Sequence, residues 1–322
     1  MSPSRPQRIL VIKLSALGDF ILSIGSFQAI RRHHPDAQIT LLTTKPFAGL
    51  GEASGCFDQV WTDTRPRWPD VAGWWSLGRR LRHAGFDRVY DLQRSQRSAW
   101  YFRLAGRPEW VGTAAGCSHQ YVDPPPPLPH ITEREAAQLA LAGIDDVGLP
   151  DLSFLQADLD RFALPTPYAL LVPGSAPHRP AKRWPAAGFA GLGRELVRRG
   201  LIPVLIGTEA ERDALAEVAA GCPEAHDLSG RTGLADLAAL GRRAALAIGN
   251  DTGPMHLLAA AGCPSLVLFS ADSDPVQVAP RGRSVALLRQ DSLQDLSLDR
   301  VVAAIETLGA PAMPDARAAA KP

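Results

Sequence analysis

Residues 246–262, "LAIGNDTGPMHLLAAAG", carry an apolar run, a tight turn and a helical pattern in immediate succession. The run that leads into the turn, "AALAIGN", is continuously apolar, as in a parallel strand that is covered on both faces. Asp-Thr-Gly-Pro at 251–254 forms the predicted turn, and its proline suits the first turn of the helix that follows. Gly262 and Pro264 end that helix. The stretch therefore predicts one β–α unit of an α/β sheet.

The same alternation extends through both halves of the chain. Strands are predicted at "RILVIKL", "AQITLLT", "FDQVWTD" and "FDRVYDL" in the first half, and at "YALLVPG", "LIPVLIG", "AALAIGN" and "PSLVLFS" in the second. Helices are predicted at 20–33, 71–83, 95–104, 186–199, 209–220, 233–242 and 254–261. Continuous apolar strands that alternate with helices predict parallel sheets with helices on both faces.

The strand–helix pattern restarts near residue 168, after a proline-containing segment at about 160–167 that suits a linker. We therefore predict two Rossmann-like, doubly wound parallel-sheet domains in tandem, at 1–162 and 163–309, followed by a disordered tail at 310–322. The carboxyl ends of both sheets are expected to face a central cleft, which is where such folds bind ligands.

The composition is that of a soluble globular protein, since 46% of the 322 residues are hydrophobic and 21% are charged. A formal net charge of +1 gives no global attraction to nucleic acid. The four cysteines are far apart and lack metal-ligand spacing, so we expect reduced, mostly buried thiols. No apolar run reaches the length of a membrane span, and Lys13 and Asp19 interrupt the first one, so we expect a cytoplasmic protein.

Asp-Thr-Gly is also the tripeptide of aspartic proteases, but that chemistry uses a pair of such loops in an all-β fold. This chain has one copy, in an α/β setting and followed by Pro254, so a protease is not favoured. Neither G-x-G-x-x-G nor G-x-x-x-x-G-K-[ST] occurs in the chain. Their absence argues against a nicotinamide enzyme and a P-loop ATPase.

Two loops at the carboxyl ends of strands are candidate phosphate sites. The helix start at 251–254 presents free N–H groups and a partial positive charge, and Gly253 allows a ligand to approach closely. An ordinary helix capped by Thr252 or Asp251 explains that pattern equally well. The loop after "YALLVPG" contains Ser175, His178, Arg179, Lys182 and Arg183. This second loop is either a phosphate clamp or solvated charge.

Asp19 follows the first strand, in "KLSALGDF", at the start of the next helix. A carboxylate at this position commonly caps the helix. Asp19 also lies at the carboxyl edge of the predicted sheet, where a general base for a ligand in the cleft would have to lie. The residues alone leave both roles open.

Residues 65–107 are strongly basic, with ten arginines, three acidic residues and a local charge of +7. Six of the seven tryptophans fall between positions 61 and 110. Some of them must be core residues, because "VAGWWSLGRRLRHAG" has helical spacing. Arginine and tryptophan together indicate a face that meets polyanionic, partly lipidic material at a membrane surface. Nucleic acid is the alternative partner, but no recognisable binding motif supports it.

Four blocks of the chain resemble, in the right order, glycosyltransferase family nine, the bacterial lipopolysaccharide heptosyltransferases. They are "ILVIKLSALGDFILSIGSFQAIRRHHPDAQITLLT", "DLQRSQRSAWYFRLAG", "LVPGSA…AKRWPAAGFAGL" and "GNDTGPMHLLAAAGCPSLVLFS", within residues 8–270. The resemblance implies a GT-B architecture, with the acceptor on the first domain and the nucleotide-sugar on the second. It also implies an inverting transfer that uses no metal and no other cofactor.

The resemblance implies roles for individual residues as well. Asp19 matches the general base, Lys182 the lysine that contacts the donor phosphates, and Glu211 the acidic residue that holds the ribose. The donor set expected from the loops and the resemblance together is Ser175, Lys182, Glu211, Asp251, Thr252, Gly253 and His256. The basic segment is expected to bind the acceptor through Arg65, Arg67, Arg79, Arg94 and Arg97.

The implied function is transfer of a heptose from ADP-heptose to the anionic lipopolysaccharide inner core, at the cytoplasmic face of the inner membrane. "DLQRSQRSAW" departs from the family, because many relatives carry a small or apolar residue after the glutamine, and this leaves the acceptor and the sugar open. One alternative is a transferase of the same fold with another nucleotide-sugar and another cell-envelope acceptor. The other is a catalytically silent scaffold, against which the retained Asp19, Lys182 and Asp251 argue.

Overall fold

The computed structural model describes residues 5–67, 69–175 and 180–308. The chain divides into two compact units, Met1–Phe154 and Leu155–Pro322. The division lies eight residues before the predicted boundary at 162. The predicted linker at 160–167 includes a short 3-10 turn, Asp160–Phe162, whose phenylalanine is buried. The predicted tail at 310–322 lies outside the described residues.

The first unit contains a six-stranded, all-parallel sheet in the order β3-β2-β1-β4-β5-β6. Its strands are β1 Arg8–Ile12, β2 Gln38–Thr43, β3 Gln59–Thr62, β4 Arg88–Asp91, β5 Glu109–Gly112 and β6 His119–Gln120. Its helices are α1 Leu17–His33, α2 Lys45–Ala53, α3 Val71–Ala84, α4 Gln96–Leu104 and α5 Ile131–Ala140. The strand order reverses between β1 and β4, so their loops diverge at the usual ligand-binding position of this fold.

Helices cover both faces of this first sheet. Helix α1 packs against α5, and α3 packs against α4. Right-handed crossovers place these two pairs on opposite faces. Side chains of β1 and β4, such as Leu10, Ile12 and Val89, are buried against Tyr101 of α4. Ile9 and Val11, which alternate with them along β1, are also fully buried, and this burial on both faces is the physical reason for the continuous apolar pattern.

The second unit repeats the plan with a parallel sheet in the order β12-β11-β10-β7-β8-β9. Its strands are β7 Tyr168–Val172, β8 Ile202–Leu205, β9 His226–Asp227, β10 Leu246–Asn250, β11 Ser265–Phe269 and β12 Val285–Arg289. Its helices are α6 Ala186–Arg198, α7 Arg212–Gly221, α8 Leu234–Arg243, α9 Gly253–Ala260, α10 Pro275–Val278 and α11 Leu298–Glu306. The strand order reverses between β7 and β10.

The prediction of two doubly wound, Rossmann-like parallel-sheet units is confirmed. Each of the eight predicted strands is present, whereas β5, β6, β9 and β12 were not predicted. The four cysteines are free and buried, as expected. Among the described residues, no helix is long and apolar enough to cross a membrane. No group of three or more His, Cys, Asp or Glu side chains in the described ranges is placed to hold a metal ion.

Candidate active site

Three loops of the second unit follow the neighbouring strands β10, β7 and β8, and they carry the predicted donor residues. Ser175 and Lys182 follow β7, Glu211 follows β8, and Asp251, Thr252, Gly253 and His256 follow β10. The carboxyl ends of parallel strands meet at one edge of a sheet, so the fold brings this set together. His178 and Arg179, from the same predicted clamp, lie outside the described residues.

An ion pair connects two of these loops. Lys182 ends a 3-10 turn, Pro180–Lys182, and its Nζ lies 2.6 Å from Oδ2 of Asp251. Both side chains are largely buried, with exposed fractions of 16% for the lysine and 7% for the aspartate. The other carboxylate oxygen of Asp251 lies 3.8 Å from Nε2 of His256. Asp251 therefore lies between two basic side chains.

The environment of Asp251 favours its charged form. Burial raises the pKa of this carboxyl, but His256, Lys182 and the hydroxyl of Ser273 outweigh burial and lower the pKa to about 2. The carboxylate is thus ionised at neutral pH and repels a phosphate that comes directly against it. Its geometry suits it to hold Lys182 in place.

His256 lies one turn into α9 and is buried. Its Nδ1 has no hydrogen-bond partner among the described residues. A buried ring nitrogen without a partner is costly to a folded protein unless a ligand or water completes it. The imidazole is therefore placed to donate a hydrogen bond to, or accept one from, a molecule at this edge of the sheet.

The start of α9 differs in part from the prediction. Thr252 occupies the N-cap position in an extended conformation, but its side chain makes no capping hydrogen bond, and the carboxylate of Asp251 is engaged with Lys182. The ordinary side-chain cap that the sequence left open as the alternative is therefore not found for Thr252. Pro254 has no N–H group, and the N–H of Met255 donates to the carbonyl of Thr252 at 3.0 Å. The N–H of Asp251 donates to the carbonyl of Leu268 at 3.0 Å, so the anion-binding amides predicted at 251–254 reduce to those of Thr252 and Gly253.

Asn250 is a positioning residue that the sequence analysis missed. It is fully buried at the end of β10. Its Nδ2 donates to the carbonyl of Pro173 at 2.7 Å, and its Oδ1 accepts from the backbone N–H of Trp184 at 3.0 Å. These bonds fix both ends of the loop that carries Lys182. An amide that ends an otherwise apolar strand was the available signal.

Glu211 lies against the loop that follows β7. Its Oε2 accepts hydrogen bonds from the backbone N–H and the hydroxyl of Thr208, at 2.8 and 2.9 Å. A Cβ added to Gly174 would lie 1.7 Å from Oε1 of Glu211, so the carboxylate lies directly against the backbone of the loop after β7. The next residue, Ser175, is buried, and its carbonyl accepts from the guanidinium of Arg183 at 3.0 Å. Glu211 therefore lies against the residue that precedes Ser175.

In the first unit, Asp19 is the third residue of α1 and is half-buried. Its Oδ2 accepts a long hydrogen bond, 3.4 Å, from the backbone N–H of Ala16. This contact gives Asp19 a capping role at the helix start. The bond is long and weak, so capping does not fully occupy the carboxylate.

The loop that leads to Asp19 is held by a side chain from the neighbouring strand. Oε1 of Gln93 accepts hydrogen bonds from the backbone N–H groups of Leu14 and Ser15, at 2.6 and 3.2 Å. Gln93 follows β4, so the contact spans the point where the strand order reverses. Sequence reasoning missed this residue, because nothing in the sequence pairs it with a loop 78 residues away.

A buried polar network lies beside this loop. Nζ of Lys13 lies 3.0 Å from Oε1 of Glu135, and both side chains are almost completely buried. The lysine also donates to the carbonyl of Leu92 at 3.1 Å. The hydroxyls of Ser23 and Ser26 donate to Glu135 at 2.7 and 2.8 Å. The network joins α1, α5 and the end of β1. It explains why Lys13 can interrupt the first apolar run and still be buried.

Asp91 ends β4 and is completely buried. Burial raises the pKa of its carboxyl to about 6, although hydrogen bonds from Ser98 and from the N–H groups of Arg94 and Gln93 act in the opposite direction. The two backbone bonds are 3.2 and 3.1 Å long. Asp91 therefore orders the turn that carries Gln93.

The five predicted acceptor arginines are not brought together. Arg65 and Arg67 lie exposed in the loop after β3. Nη2 of Arg65 is 3.5 Å from the hydroxyl of Ser15, in the loop that leads to Asp19. Arg97 donates to the carbonyl of Pro66 at 3.2 Å and so supports the same loop.

The other two arginines have different surroundings. Arg94 is largely buried, forms an ion pair with Asp123 and lies over the ring of Tyr121. Arg79 projects from the middle of α3, where its guanidinium lies 4.8 Å from the ring centre of Trp75. Arg65 therefore lies with an exposed side chain against the Asp19 loop, and Arg67 is exposed two residues further along the chain.

Comparison with known proteins independently supports the family resemblance seen in the sequence. Residues 74–301 match the model of glycosyltransferase family 9 (heptosyltransferase). Lipopolysaccharide heptosyltransferase 1 of Pseudomonas aeruginosa is 28% identical over 309 residues, which cover 88% of this chain and 84% of that protein.

Two solved structures show the same fold across almost the whole chain. A glycosyl transferase family 9 protein from Veillonella parvula has a TM-score of 0.81 at 23% identity and covers 94% of this chain and 97% of that one. Escherichia coli ADP-heptose lps heptosyltransferase II has a TM-score of 0.74 at 24% identity, and the match covers 94% of this chain and 98% of that one. The expected GT-B fold class is thus confirmed. The family model spans well over half of the chain, and the protein is a glycosyltransferase that belongs to glycosyltransferase family 9, the heptosyltransferases.

Proposed function

We propose that this glycosyltransferase moves a heptose from ADP-heptose to the inner core of lipopolysaccharide. The observation that carries the proposal is the pair Lys182–Asp251, which holds a cation beside the start of α9. The names of the relatives support the substrates, since they include a lipopolysaccharide heptosyltransferase and an ADP-heptose lps heptosyltransferase.

The donor diphosphate binds, in this proposal, at the start of α9. The N–H groups of Thr252 and Gly253 and the ammonium of Lys182 face the phosphates and supply the positive charge that a metal ion supplies in other transferases. Asp251 holds Lys182 and does not itself contact the phosphates. His256 and Ser175 bind other polar atoms of the donor, and Glu211 binds the ribose hydroxyls.

Asp19 is the general base of the transfer. Its carboxylate takes the proton of an acceptor hydroxyl as that oxygen forms a bond to the anomeric carbon. The bond from that carbon to the β-phosphate oxygen breaks, and ADP leaves with the electron pair. Help of this kind from a base contributes about a hundred- to ten-thousand-fold to the rate. Attack from the face opposite to the leaving group inverts the anomeric centre.

The acceptor is an anionic glycolipid, the lipid A core. Arg65 and Arg67 bind its phosphate or carboxylate groups, because both side chains are exposed and that of Arg65 lies against the loop that leads to Asp19. Contacts between exposed charges of this kind weaken as the salt concentration rises. An acceptor in a bilayer also requires the enzyme to work at the membrane surface, as a peripheral protein at the cytoplasmic face of the inner membrane.

Calorimetric titration with ADP, UDP, GDP and CDP in the presence of EDTA tests the donor part of this proposal. We expect ADP to bind with at least tenfold preference over the other three nucleotides. Selective binding of another nucleotide would contradict ADP-heptose as the donor but would leave the assignment as a glycosyltransferase unchanged. A failure of all four to bind would contradict the proposed role of the α9 start and favour a silent scaffold.

A further inference from the structure

Helices α3 and α4 expose large apolar side chains on one face of the first unit. Val71, Trp75 and Trp100 have exposed fractions of 66%, 63% and 55%. The two tryptophans are the only aromatic residues among the large, strongly exposed hydrophobic side chains of the described ranges. Exposed indole rings are costly in water and indicate a surface that something else covers.

The same helices are exclusively basic. Neither α3 nor α4 contains an aspartate or a glutamate, whereas together they contain Arg79, Arg80, Arg82, Arg97 and Arg103. All except Arg97 are exposed. The nearby carboxylate of Asp70 caps the start of α3 by accepting from the N–H of Gly73, so the side chains of the two helices give the face a positive charge that attracts a negatively charged partner.

Arginine and tryptophan are paired on this face. The guanidinium of Arg79 lies 4.8 Å from the ring centre of Trp75, and that of Arg103 lies 4.8 Å from the ring centre of Trp100. The helices are also tied together, because Nε of Arg82 donates to the carbonyl of Leu104 at 2.8 Å. On this surface each exposed indole ring is therefore in contact with a guanidinium group.

The face adjoins the edge of the sheet at which α1 begins. Helices that follow parallel strands start at the carboxyl edge of the sheet, and Val71 is the first residue of α3. Trp75 and Trp100 each lie four residues after the first residue of their helix, about 6 Å along its axis. The exposed rings are therefore near the edge that carries Asp19.

We propose that this face, formed by Val71, Trp75, Arg79, Trp100 and Arg103, docks on an anionic lipid bilayer. Indole rings prefer the boundary between headgroups and acyl chains, and guanidinium groups bind lipid phosphates, so the paired side chains match both layers of such a surface. Docking places the Asp19 edge next to a lipid-anchored acceptor, and this consequence rests on the function proposed above. A nucleic acid would use the arginines but would leave the position of Val71 unexplained.

Co-sedimentation with lipid vesicles tests this proposal without any donor or acceptor. The probes are vesicles of phosphatidylcholine alone and of phosphatidylcholine mixed with phosphatidylglycerol. We expect the full chain to sediment with the mixed vesicles, less strongly as salt rises, and to remain in solution with the neutral ones. The double variants Trp75→Ser/Trp100→Ser and Arg79→Gln/Arg103→Gln should each lower the partition coefficient about tenfold or more.

Matched controls come from the second unit. Val276→Ser/Leu287→Ser removes two other exposed apolar side chains, and Arg198→Gln/Arg212→Gln removes two other exposed guanidinium groups. Both controls should sediment like the unmodified protein. Nucleotide titration of every variant checks folding and separates this test from the donor assignment. Equal sedimentation of all variants, absence of sedimentation, or binding to duplex DNA but not to vesicles would overturn the proposal.

Discussion

Lys182 and Asp251 lie 69 residues apart in the sequence, yet their side chains are joined by a 2.6 Å ion pair at the start of α9. The pair connects the loop after β7 to the turn after β10, across the point where the strand order of the second sheet reverses. It thereby fixes a positive charge beside the N–H groups of Thr252 and Gly253, for which no carbonyl partner is found within the described part of the chain. This arrangement is the physical basis of the proposed diphosphate site.

Replacement of Lys182 by alanine should raise the donor KM and lower turnover together. In the proposed site the lysine contacts phosphates that gain negative charge in the transition state, so its loss should weaken both binding and the chemical step. Steady-state kinetics with varied donor concentration measure both effects. Arg198→Ala, which removes an exposed cation from the same unit, should change neither value. If KM and turnover are unchanged in Lys182→Ala, the lysine has no role in donor binding or in the reaction.

Replacement of Asp251 by asparagine should weaken nucleotide binding, although it removes a negative charge from a phosphate site. Direct electrostatics alone predicts tighter binding, whereas loss of the group that holds Lys182 predicts looser binding, and the two effects have opposite signs. We also expect the free energy of unfolding to fall by about 1–3 kcal/mol, because a buried ammonium loses its partner. Tighter nucleotide binding by the variant would contradict the positioning role.

The low pKa of Asp251 has a pH signature. A carboxyl whose pKa falls from 3.8 to about 2 on folding stabilises the protein fully above pH 4, and this contribution is lost as the pH falls toward 2. The shift corresponds to about 2 kcal/mol. In denaturant titrations, the gap in stability between the unmodified protein and Asp251→Asn should therefore narrow below pH 4. If the difference in the free energy of unfolding between the two proteins does not change with pH, the Asp251 carboxyl keeps an ordinary pKa.

Replacement of Asp19 by asparagine should lower turnover by about a hundred- to ten-thousand-fold and leave nucleotide affinity almost unchanged. Asparagine is isosteric and can accept the hydrogen bond from Ala16, so the variant separates base chemistry from helix capping. Asp36→Asn, at an exposed turn of the same unit, is the matched control. Equal turnover in Asp19→Asn and the unmodified enzyme would remove Asp19 from the reaction.

Replacement of Asp91 by asparagine should change how stability depends on pH. Because folding raises the pKa of this carboxyl from 3.8 to about 6, the folded state binds the proton more tightly than the unfolded state. Stability is then greatest below about pH 4 and falls by about 3 kcal/mol as the pH rises to 6. The asparagine variant should lack this decline. The exposed control Asp146→Asn should show the same decline as the unmodified protein. If the free energy of unfolding of Asp91→Asn also falls in this way between pH 4 and 7, the prediction is refuted.

The sequence predicts the fold well where burial on both faces makes strands continuously apolar. β1 and β10 are examples, since every residue from Ile9 to Ile12 and from Leu246 to Asn250 is buried. Strands β6 and β9 were missed because two residues at the end of a sheet carry no periodic pattern. Strand β12 alternates between partly buried and exposed residues, which hides it among loops.

The candidate site was predictable where a motif marks a strand end, as at Asp251 and Lys182. It was not predictable where function depends on distant partners. Glu135 meets Lys13 across 122 residues of sequence, and only the folded sheet brings them together. The basic segment shows the converse problem, because its arginines are close in sequence but divide between the Asp19 loop and the outer face of α3 and α4.

A transfer assay with ADP-heptose and a lipid A core that lacks heptose, in the presence of EDTA, tests the central claim most directly. Mass spectrometry of the glycolipid and chromatography of the released nucleotide follow the two products. We predict that the glycolipid gains one heptose for each ADP released, and that Asp19→Asn and Lys182→Ala greatly slow both. Absence of product from ADP-heptose, while another nucleotide-sugar is consumed with the same acceptor, would contradict the account.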